Sequence, residues 1–152
     1  MRLFNSNVKQ LLLYSYETWR SLKAQTNKIQ VFINRSLRRI LGIRWYDKMS
    51  NVELWKATDQ KSAEVLLKRR RWIWIGHTLR KPRDNIARRA LQWNPQGKRN
   101  RGRTKNIWRR GVDQEVKEAI VKWGSLEAAA QDRMKWKQFV GGLCSTSGAA
   151  KA

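Results

Sequence analysis

The sequence has very few of the residues from which metal sites and nucleophilic sites are built. It contains one cysteine, Cys144, and one histidine, His77, far apart along the chain. A zinc site needs about four ligands, and carboxylates at suitable spacing are missing here. A single cysteine also excludes an internal disulfide framework, so a reducing compartment is expected. We predict no bound metal and no cofactor, and we interpret His77 as a hydrogen-bonded packing residue.

Acidic residues are also scarce. The 152 residues include 11 Asp and Glu, scattered along the chain without a cluster. A polymerase or nuclease that works through two metal ions needs clustered acids in a cleft. No Ser-His-Asp order and no phosphate-cradling glycine loop is present either. We interpret Asp113, Glu115 and Glu118 as an exposed helix face, and we predict that the chain is not an enzyme.

Long apolar runs are missing. No stretch approaches the roughly 20 apolar residues that span a bilayer, so we expect no membrane partner. The chain still differs from a disordered basic tail, because it is 41% hydrophobic and carries nine Trp. Nine Trp and a net charge of +23 are difficult to combine in one small core. We therefore expect part of the apolar surface to pack against a partner.

Glycine and proline are sparse, and apolar residues recur at helical spacing, which together predict an all-α fold. The clearest stripe runs from Ile29 to Leu41, and Gly42 is placed to end that helix. Ser50 and Glu53 predict a capping box at the start of a short helix. For the segment from Val8 to Trp19, helix and strand both remain open.

A third helix is predicted from Ser62 to Leu79, although Trp72-Ile73-Trp74-Ile75 within it also suits a strand. Later elements are predicted from their caps and apolar spacing. They are a short helix capped by Asp84, a loop from Asn94 to Arg103, a helix capped by Thr104 and closed by Gly124, and a last helix opened by Ser125.

Basic residues dominate the charge. The 34 Lys and Arg give a net charge of +23, which a polyanionic partner relieves. Between Lys61 and Arg110 there are 17 bases and two acids, a local charge of +15. We predict that this block binds RNA, DNA or both. The expected contact residues are Lys68, Arg69, Arg70, Arg71, Arg80, Lys81, Arg83, Arg88, Arg89, Lys98, Arg99, Arg101, Arg103, Lys105, Arg109 and Arg110.

Two finer interpretations of the block remain open. Arg101-Gly102-Arg103 matches the core of a minor-groove arm, but Thr104 stands where an AT-hook has Pro. We therefore favour general backbone contact over groove recognition. The interleaved Trp residues stack either on bases or in the core, and we favour the core.

Trp74-Ile75-Gly76-His77 and five other strings, in order along the chain, resemble the C-terminal region of non-LTR (LINE-type) retrotransposon endonuclease–reverse transcriptases. These strings cover about residues 8 to 144. The sequence departs from the family pattern at two places, with Thr104 in place of the usual Pro and Ser15-Tyr16 where Gly-Ser is common. The matching strings are Leu13-Tyr14 with Glu17-Thr18-Trp19, 37–43 (Leu-Arg-Arg-Ile-Leu-Gly-Ile), 70–82 with its Trp-Ile-Gly-His, 90–99, Arg101-Gly102-Arg103 leading to Trp108-Arg109-Arg110, and 130–133 with Trp136 and Gly142-Leu143-Cys144.

The resemblance implies a fragment that lacks the catalytic parts. Family members carry a palm with an Ala-Asp-Asp box and an N-terminal endonuclease, and neither is present in these residues. The thumb and basic region of the parent would grip template RNA and target DNA during target-primed reverse transcription. The helix with Ile29, Phe32, Ile33 and Leu37 would pack on the palm, which makes the palm a further expected partner.

We accordingly predict three parts: a thumb-like helical segment at 1–60, a basic helical nucleic-acid-binding region at 61–141, and a disordered tail at 142–152. The expected location is the nucleus or a cytoplasmic ribonucleoprotein. The alternative function is a basic nucleic-acid-binding adaptor or architectural protein used by the host. A weaker alternative is a protein held at a membrane surface by its charge.

Overall fold

In a computed structural model of the chain, residues 1–19, 22–92 and 108–145 are described, and every regular element in these ranges is helical. The all-α prediction is confirmed. The helices are α1 Lys9–Leu12, α2 Lys23–Leu41, α3 Asn51–Thr58, α4 Ala63–Leu79, α5 Ile86–Gln92, α6 Trp108–Glu118, α7 Trp123–Gln131 and α8 Arg133–Ser145. A π-helical turn at Phe4–Val8 and 3-10 turns at Tyr16–Thr18 and Trp45–Asp47 accompany them.

The chain divides into two compact units, residues 1–68 and residues 69–152. The packing division therefore falls inside α4, whereas the predicted boundary at 60/61 followed the change in charge. Its cause is visible in the first turns of α4. Ala63 is fully buried in a cluster with Ile33, Leu37 and Leu54, and Leu67 is buried with Leu13 and Tyr16.

In the first unit, α2 carries the predicted apolar stripe and ends where expected. Ile33 and Leu37 are buried, while Phe32 and Ile40 on the same helix remain exposed. Gly42 has a φ of 69°, a left-handed conformation that glycine adopts without the penalty of a Cβ atom. Asn34 on the same helix is buried, and its Oδ1 accepts hydrogen bonds from Gln30 Nε2 and Trp55 Nε1, each at 2.8 Å.

The capping box that opens α3 is confirmed. The Glu53 N–H donates to Ser50 Oγ at 3.2 Å, and the Ser50 N–H donates to Glu53 Oε2 at 2.7 Å. The Ser50 hydroxyl and then its backbone N–H hold the pKa of Glu53 below its ordinary value. This reciprocal pair satisfies two N–H groups that the start of a helix leaves without intrahelical partners.

In the second unit, the later turns of α4 form one wall of the core. Trp72, Ile75 and Leu79 recur at three- and four-residue steps, so they share one face of the helix, and all three are buried. They pack with buried residues of the following helices, which are Leu91, Val112, Val116, Leu126, Ala130, Trp136, Val140 and Leu143. The strand interpretation of 72–75 is therefore wrong, because tertiary packing selects the helical face.

Gly76 lets the ring of Trp136 lie directly against α4. A Cβ atom built on Gly76 would come within 2.1 Å of Trp136 Nε1, far inside van der Waals contact. The same Nε1 donates a hydrogen bond to the carbonyl oxygen of Trp72 at 3.0 Å. The glycine therefore forms a notch on α4, one turn beyond Trp72, that positions Trp136 in the core.

Helix ends in the second unit differ from the predictions. The helix expected to close at Gly124 ends at Glu118, and Ile120 follows in a left-handed conformation with a φ of 56°. The Val121 N–H donates to Val116 O and the Ile120 N–H to Lys117 O, a helix-ending pattern that usually carries glycine at the left-handed position. Because isoleucine is unfavourable there, the sequence held no signal for this end.

Two further helix boundaries differ from the predictions. Asn85, not Asp84, accepts a hydrogen bond at the start of α5, from the N–H of Ala87 at 3.1 Å. Asp132 divides the predicted last helix into α7 and α8, because its Oδ1 accepts from Met134 N–H at 2.8 Å and Lys135 N–H at 3.2 Å.

The predicted start of the tail at residue 142 is wrong. Residues 142–145 belong to α8, and Leu143 is buried in the core, so these positions are not a tail. The rest of the tail, 146–152, lies outside the described residues, as do the predicted loop at Asn94–Arg103 and the cap at Thr104.

We predict that Gly76→Ala destabilises the fold by about 1–3 kcal/mol, the usual cost of overpacking a core. The added methyl displaces the Trp136 ring and weakens its hydrogen bond to Trp72. Urea unfolding followed by circular dichroism measures the change. Gly141→Ala in α8 is the matched control, because nothing lies within 4 Å of its Cβ position; alanine there stabilises the helix by about 0.5–1 kcal/mol. Equal stability of the two variants contradicts the notch.

Candidate nucleic-acid interface

The 16 predicted contact residues fall into two groups. Five of them, Lys98, Arg99, Arg101, Arg103 and Lys105, lie outside the described residues. The other 11 lie on α4, α5, α6 and the turn between α4 and α5. Within this second group, the structure separates arginines that hold the fold together from cations that face solvent.

Arg71 is the most deeply buried of these cations. It is 5% exposed, and its Nη1 lies 2.6 Å from Glu115 Oε1 in an ion pair. Trp72 Nε1 donates to the other carboxylate oxygen of Glu115, also at 2.6 Å. One acid on α6 therefore joins two adjacent residues of α4. Arg71 is too buried to contact a phosphate, which corrects the prediction for that residue.

Arg80 and Arg88 tie the turn after α4 to the later helices. Arg80 Nη1 donates to the Ala130 carbonyl at 3.1 Å. Arg88 Nη1 donates to the Lys81 carbonyl at 2.6 Å, and its Nη2 lies 3.3 Å from the carboxylate of Glu127. Arg80 thus bonds to a carbonyl in the last turn of α7, and Arg88 bonds to a carbonyl in the turn after α4. Carbonyls at these places have no partner within a helix, and a guanidinium group can donate to them.

Arg109 plays the same part near the start of α6. Its Nη1 donates to the Leu91 carbonyl, and its guanidinium lies 5.2 Å from the centre of the Trp123 ring. Asp113 lies 3.7 Å from Arg109 Nε and also accepts a hydrogen bond from Trp123 Nε1 at 3.0 Å. Asp113 and Glu115 are therefore structural partners of cations and Trp rings. Our interpretation of them as an exposed acidic face was wrong.

Arg69, Arg83 and Arg89 are exposed arginines of the block. Their guanidinium groups form no ion pair or hydrogen bond within the part of the chain that the structure describes. They are the side chains of the block's described part that are best placed to meet a phosphate backbone.

The Trp residues of the block are mainly core residues. Trp72 is fully buried, and Trp74 and Trp108 are half-buried and meet edge to face at a centroid distance of 5.9 Å. Trp93 lies outside the described residues. His77 is exposed, so our interpretation of it as a packing residue was wrong: the positions beside it on α4, Gly76 and Thr78, face the core instead.

The first unit contains a basic pocket that the sequence analysis did not identify. A cavity of about 730 Å³ is lined by five cations, Arg35, Arg38, Arg39, Arg44 and Lys48, together with Gly42, Ile43, Trp45 and Met49. Arg35, Arg38 and Arg39 lie on α2, and Arg44 and Lys48 lie beyond its end. The spacing of Arg35, Arg38 and Arg39 on one helix was the available signal, but only the turn after Gly42 brings the remaining cations to them.

Metal sites and membrane-spanning helices are both absent from the described ranges. No group of three His, Cys, Asp or Glu there is placed to hold a metal ion. No helix of those ranges combines the length and apolar character that crossing a membrane requires.

Comparison with known proteins gives one informative similarity. The chain is 26% identical over 148 residues to a Caenorhabditis elegans protein described as uncharacterized and transposon-derived. The match covers 90% of this chain and 52% of the relative, so the chain spans about half the length of the protein it matches. No family model matches the sequence, and no solved structure matches it.

We predict that Glu115→Gln lowers the free energy of unfolding by about 3 kcal/mol, because it takes the carboxylate away from the buried guanidinium of Arg71. Chemical denaturation followed by circular dichroism measures this loss. Glu118→Gln on the exposed side of the same helix removes the same charge and should change stability by about 0.5 kcal/mol or less. A loss below about 1 kcal/mol for Glu115→Gln would show that Arg71 does not depend on this carboxylate.

Proposed function

We propose that this chain is a nucleic-acid-binding segment of retrotransposon origin, related to the thumb and basic region of a LINE-type reverse transcriptase, that holds RNA or DNA by its phosphate backbone. The observation that carries the proposal is the charge of +15 between Lys61 and Arg110. A charge of this density is relieved by a polyanion, and release of the polyanion's counterions drives the association. Nuclear localisation, or a cytoplasmic ribonucleoprotein, accompanies this proposal.

The cations of the block have two roles: some stabilise the fold, and the others are available to bind a nucleic acid. Arg71, Arg80, Arg88 and Arg109 are taken up by carboxylates, carbonyls and an aromatic ring. Binding therefore rests on the exposed cations and on the segment Lys98–Lys105. Gly97 precedes this segment and Gly102 lies within it, and glycine at these positions allows the backbone to approach phosphates closely. Contacts of this kind position a nucleic acid without reading its sequence.

Two independent observations support the retrotransposon origin. One is the ordered set of strings that resemble the family, including the Trp-Ile-Gly-His segment, in which Gly76 has a specific packing reason to be glycine. The other is the similarity to a protein described as transposon-derived.

The replacement of Arg99, Arg101 and Arg103 by Ala tests the binding surface. If about five bases of the segment Lys98–Arg110 contact phosphates, log affinity falls with log salt at a slope of roughly −3.5 to −4.5. We expect the triple variant to reduce that slope by up to about three units, and by similar amounts for unrelated sequences. Fluorescence anisotropy with labelled oligonucleotides over a range of salt concentrations measures it.

The matched control replaces three exposed lysines outside the block, Lys117, Lys122 and Lys137, by Ala. It lowers the net charge by the same amount and should leave the slope within about one unit of the unmodified chain. An unchanged slope in the arginine variant would move the surface away from this segment. Loss of affinity for A·T-rich duplex alone would instead support a minor-groove arm.

We further propose that the chain has no polymerase activity of its own, because the Ala-Asp-Asp box of the parent family is missing and its 11 acids are scattered. We expect no primer extension on an RNA template with Mg²⁺ or Mn²⁺, measured by gel electrophoresis of a labelled primer. A retroviral reverse transcriptase added to the same reaction is the positive control. Extension by the purified chain that a chelator abolishes would contradict this proposal.

A further inference from the structure

The basic pocket of the first unit is built from the end of α2 and the turn that follows it. Arg35, Arg38 and Arg39 approach it from the last turns of the helix, and Arg44 and Lys48 from the turn beyond Gly42. Its volume of about 730 Å³ lies in the range of cavities that hold small ligands. Five cations and no acid line it.

One of the five cations maintains the pocket, and others are available to a ligand. Arg38 Nη2 donates to the Met49 carbonyl at 3.2 Å and to Asn51 Oδ1 at 2.8 Å, which holds the turn against α2. The side chains of Arg35, Arg39 and Lys48 have no hydrogen bond or ion pair within the described ranges. Their charges therefore repel one another until an anion enters.

The nearby groups that would repel an anion are already bonded. Helix C-termini carry a partial negative charge on their free carbonyls, but here Arg39 O accepts from Gly42 N–H at 3.3 Å and Arg38 O from Ile43 N–H at 2.9 Å. Asp47, the acid of this turn, accepts the backbone N–H of Arg44 at 2.6 Å. Asp47 keeps its negative charge in this bond, so the five lining cations and this acid together carry a net charge of +4.

An aromatic pair lies beside the cations. Trp45, which lines the pocket, is 90% exposed, and Tyr46 next to it is 56% exposed. The two rings meet edge to face, with centroids 5.8 Å apart and planes at 74°, and the high exposure of Trp45 leaves most of its indole ring accessible. Exposed aromatic faces beside cations are the arrangement on which unpaired bases stack in single-strand-binding proteins.

We propose that this pocket is a second nucleic-acid site, which takes single-stranded RNA or DNA with a phosphate among Arg35, Arg39 and Lys48 and an unpaired base on Trp45. A duplex offers phosphates but no free base face, so the aromatic contact selects for single strands. The site rests on the proposed nucleic-acid binding and deepens it, because it uses residues of the first unit, outside the block Lys61–Arg110.

Two variants of the full chain test the cation and ring contributions separately. The first replaces Arg35, Arg39 and Lys48 by Ala, and the second is Trp45→Ala. The probes are a labelled oligothymidine of about twelve nucleotides, within the range of single-strand site sizes, and the same oligonucleotide paired with its complement. Anisotropy gives the dissociation constant and its salt dependence for each.

We expect the cation variant to reduce the salt slope on the single strand by about 0.7, because the three cations together neutralise one phosphate and each neutralised phosphate contributes about 0.7. Trp45→Ala should weaken single-strand binding about ten-fold and duplex binding less than two-fold, as the loss of one stacked base predicts. A chain with Arg2, Lys23 and Lys28 replaced by Ala is the charge-matched control, since these exposed cations belong to the same unit but not to the pocket.

Several outcomes would overturn the proposal. One is a cation variant whose slope equals that of its control, and another is a Trp45→Ala variant that weakens single strand and duplex equally. A third is binding to vesicles of anionic lipid that the cation variant abolishes while its oligonucleotide binding is unchanged. A pocket effect without any effect of replacing Arg99, Arg101 and Arg103 would keep this site and reject the proposed block, so the two failures are distinguishable. Circular dichroism of each variant confirms that it is folded.

Discussion

The second unit depends on the contact between α4 and the ring of Trp136. Gly76 provides the space, the Trp72 carbonyl accepts the indole N–H at 3.0 Å, and Phe139 packs against both Trp rings. From the other side, Glu115 binds Trp72 and Arg71 together. Helices α4, α6 and α8 are therefore joined at adjacent residues of one helix. This arrangement lets a small, strongly charged unit keep its large aromatic residues away from water.

The same type of residue performs two different tasks in this chain. An arginine that lies next to a helix end or a half-buried carboxylate stabilises the fold, as Arg71, Arg80 and Arg88 do. An arginine on the open side of a helix, such as Arg69 or Arg89, adds to the positive potential and leaves it unbalanced. Removing arginines of the first kind should unfold the chain, and removing those of the second kind should change its affinity for polyanions. Only the first group of arginines is held in place by contacts within the fold.

The first unit combines a small core with an exposed apolar surface and a basic pocket. Ile33, Leu37 and Leu54 fill that core, while other apolar residues of α2, such as Phe32, remain exposed. At the end of the same helix, the left-handed Gly42 redirects the chain so that the following turn returns its cations to α2. Because the turn is held by Arg38 and by the Asp47 carboxylate, the pocket is formed by the protein before any ligand arrives.

The sequence alone determined the all-α class, the stripe of α2 with its end at Gly42, and the capping box of Ser50, because these features depend on local spacing and short-range hydrogen bonds. It also located the concentration of charge, which is a property of composition. Tertiary structure decided the rest. Which arginines lie buried depends on acids and carbonyls distant in sequence, as Glu115 is from Arg71. The helix end at Ile120 arises because packing overrides local preference. The pocket forms because the turn after Gly42 brings Arg44 and Lys48 to the arginines of α2, which the spacing along the helix does not specify.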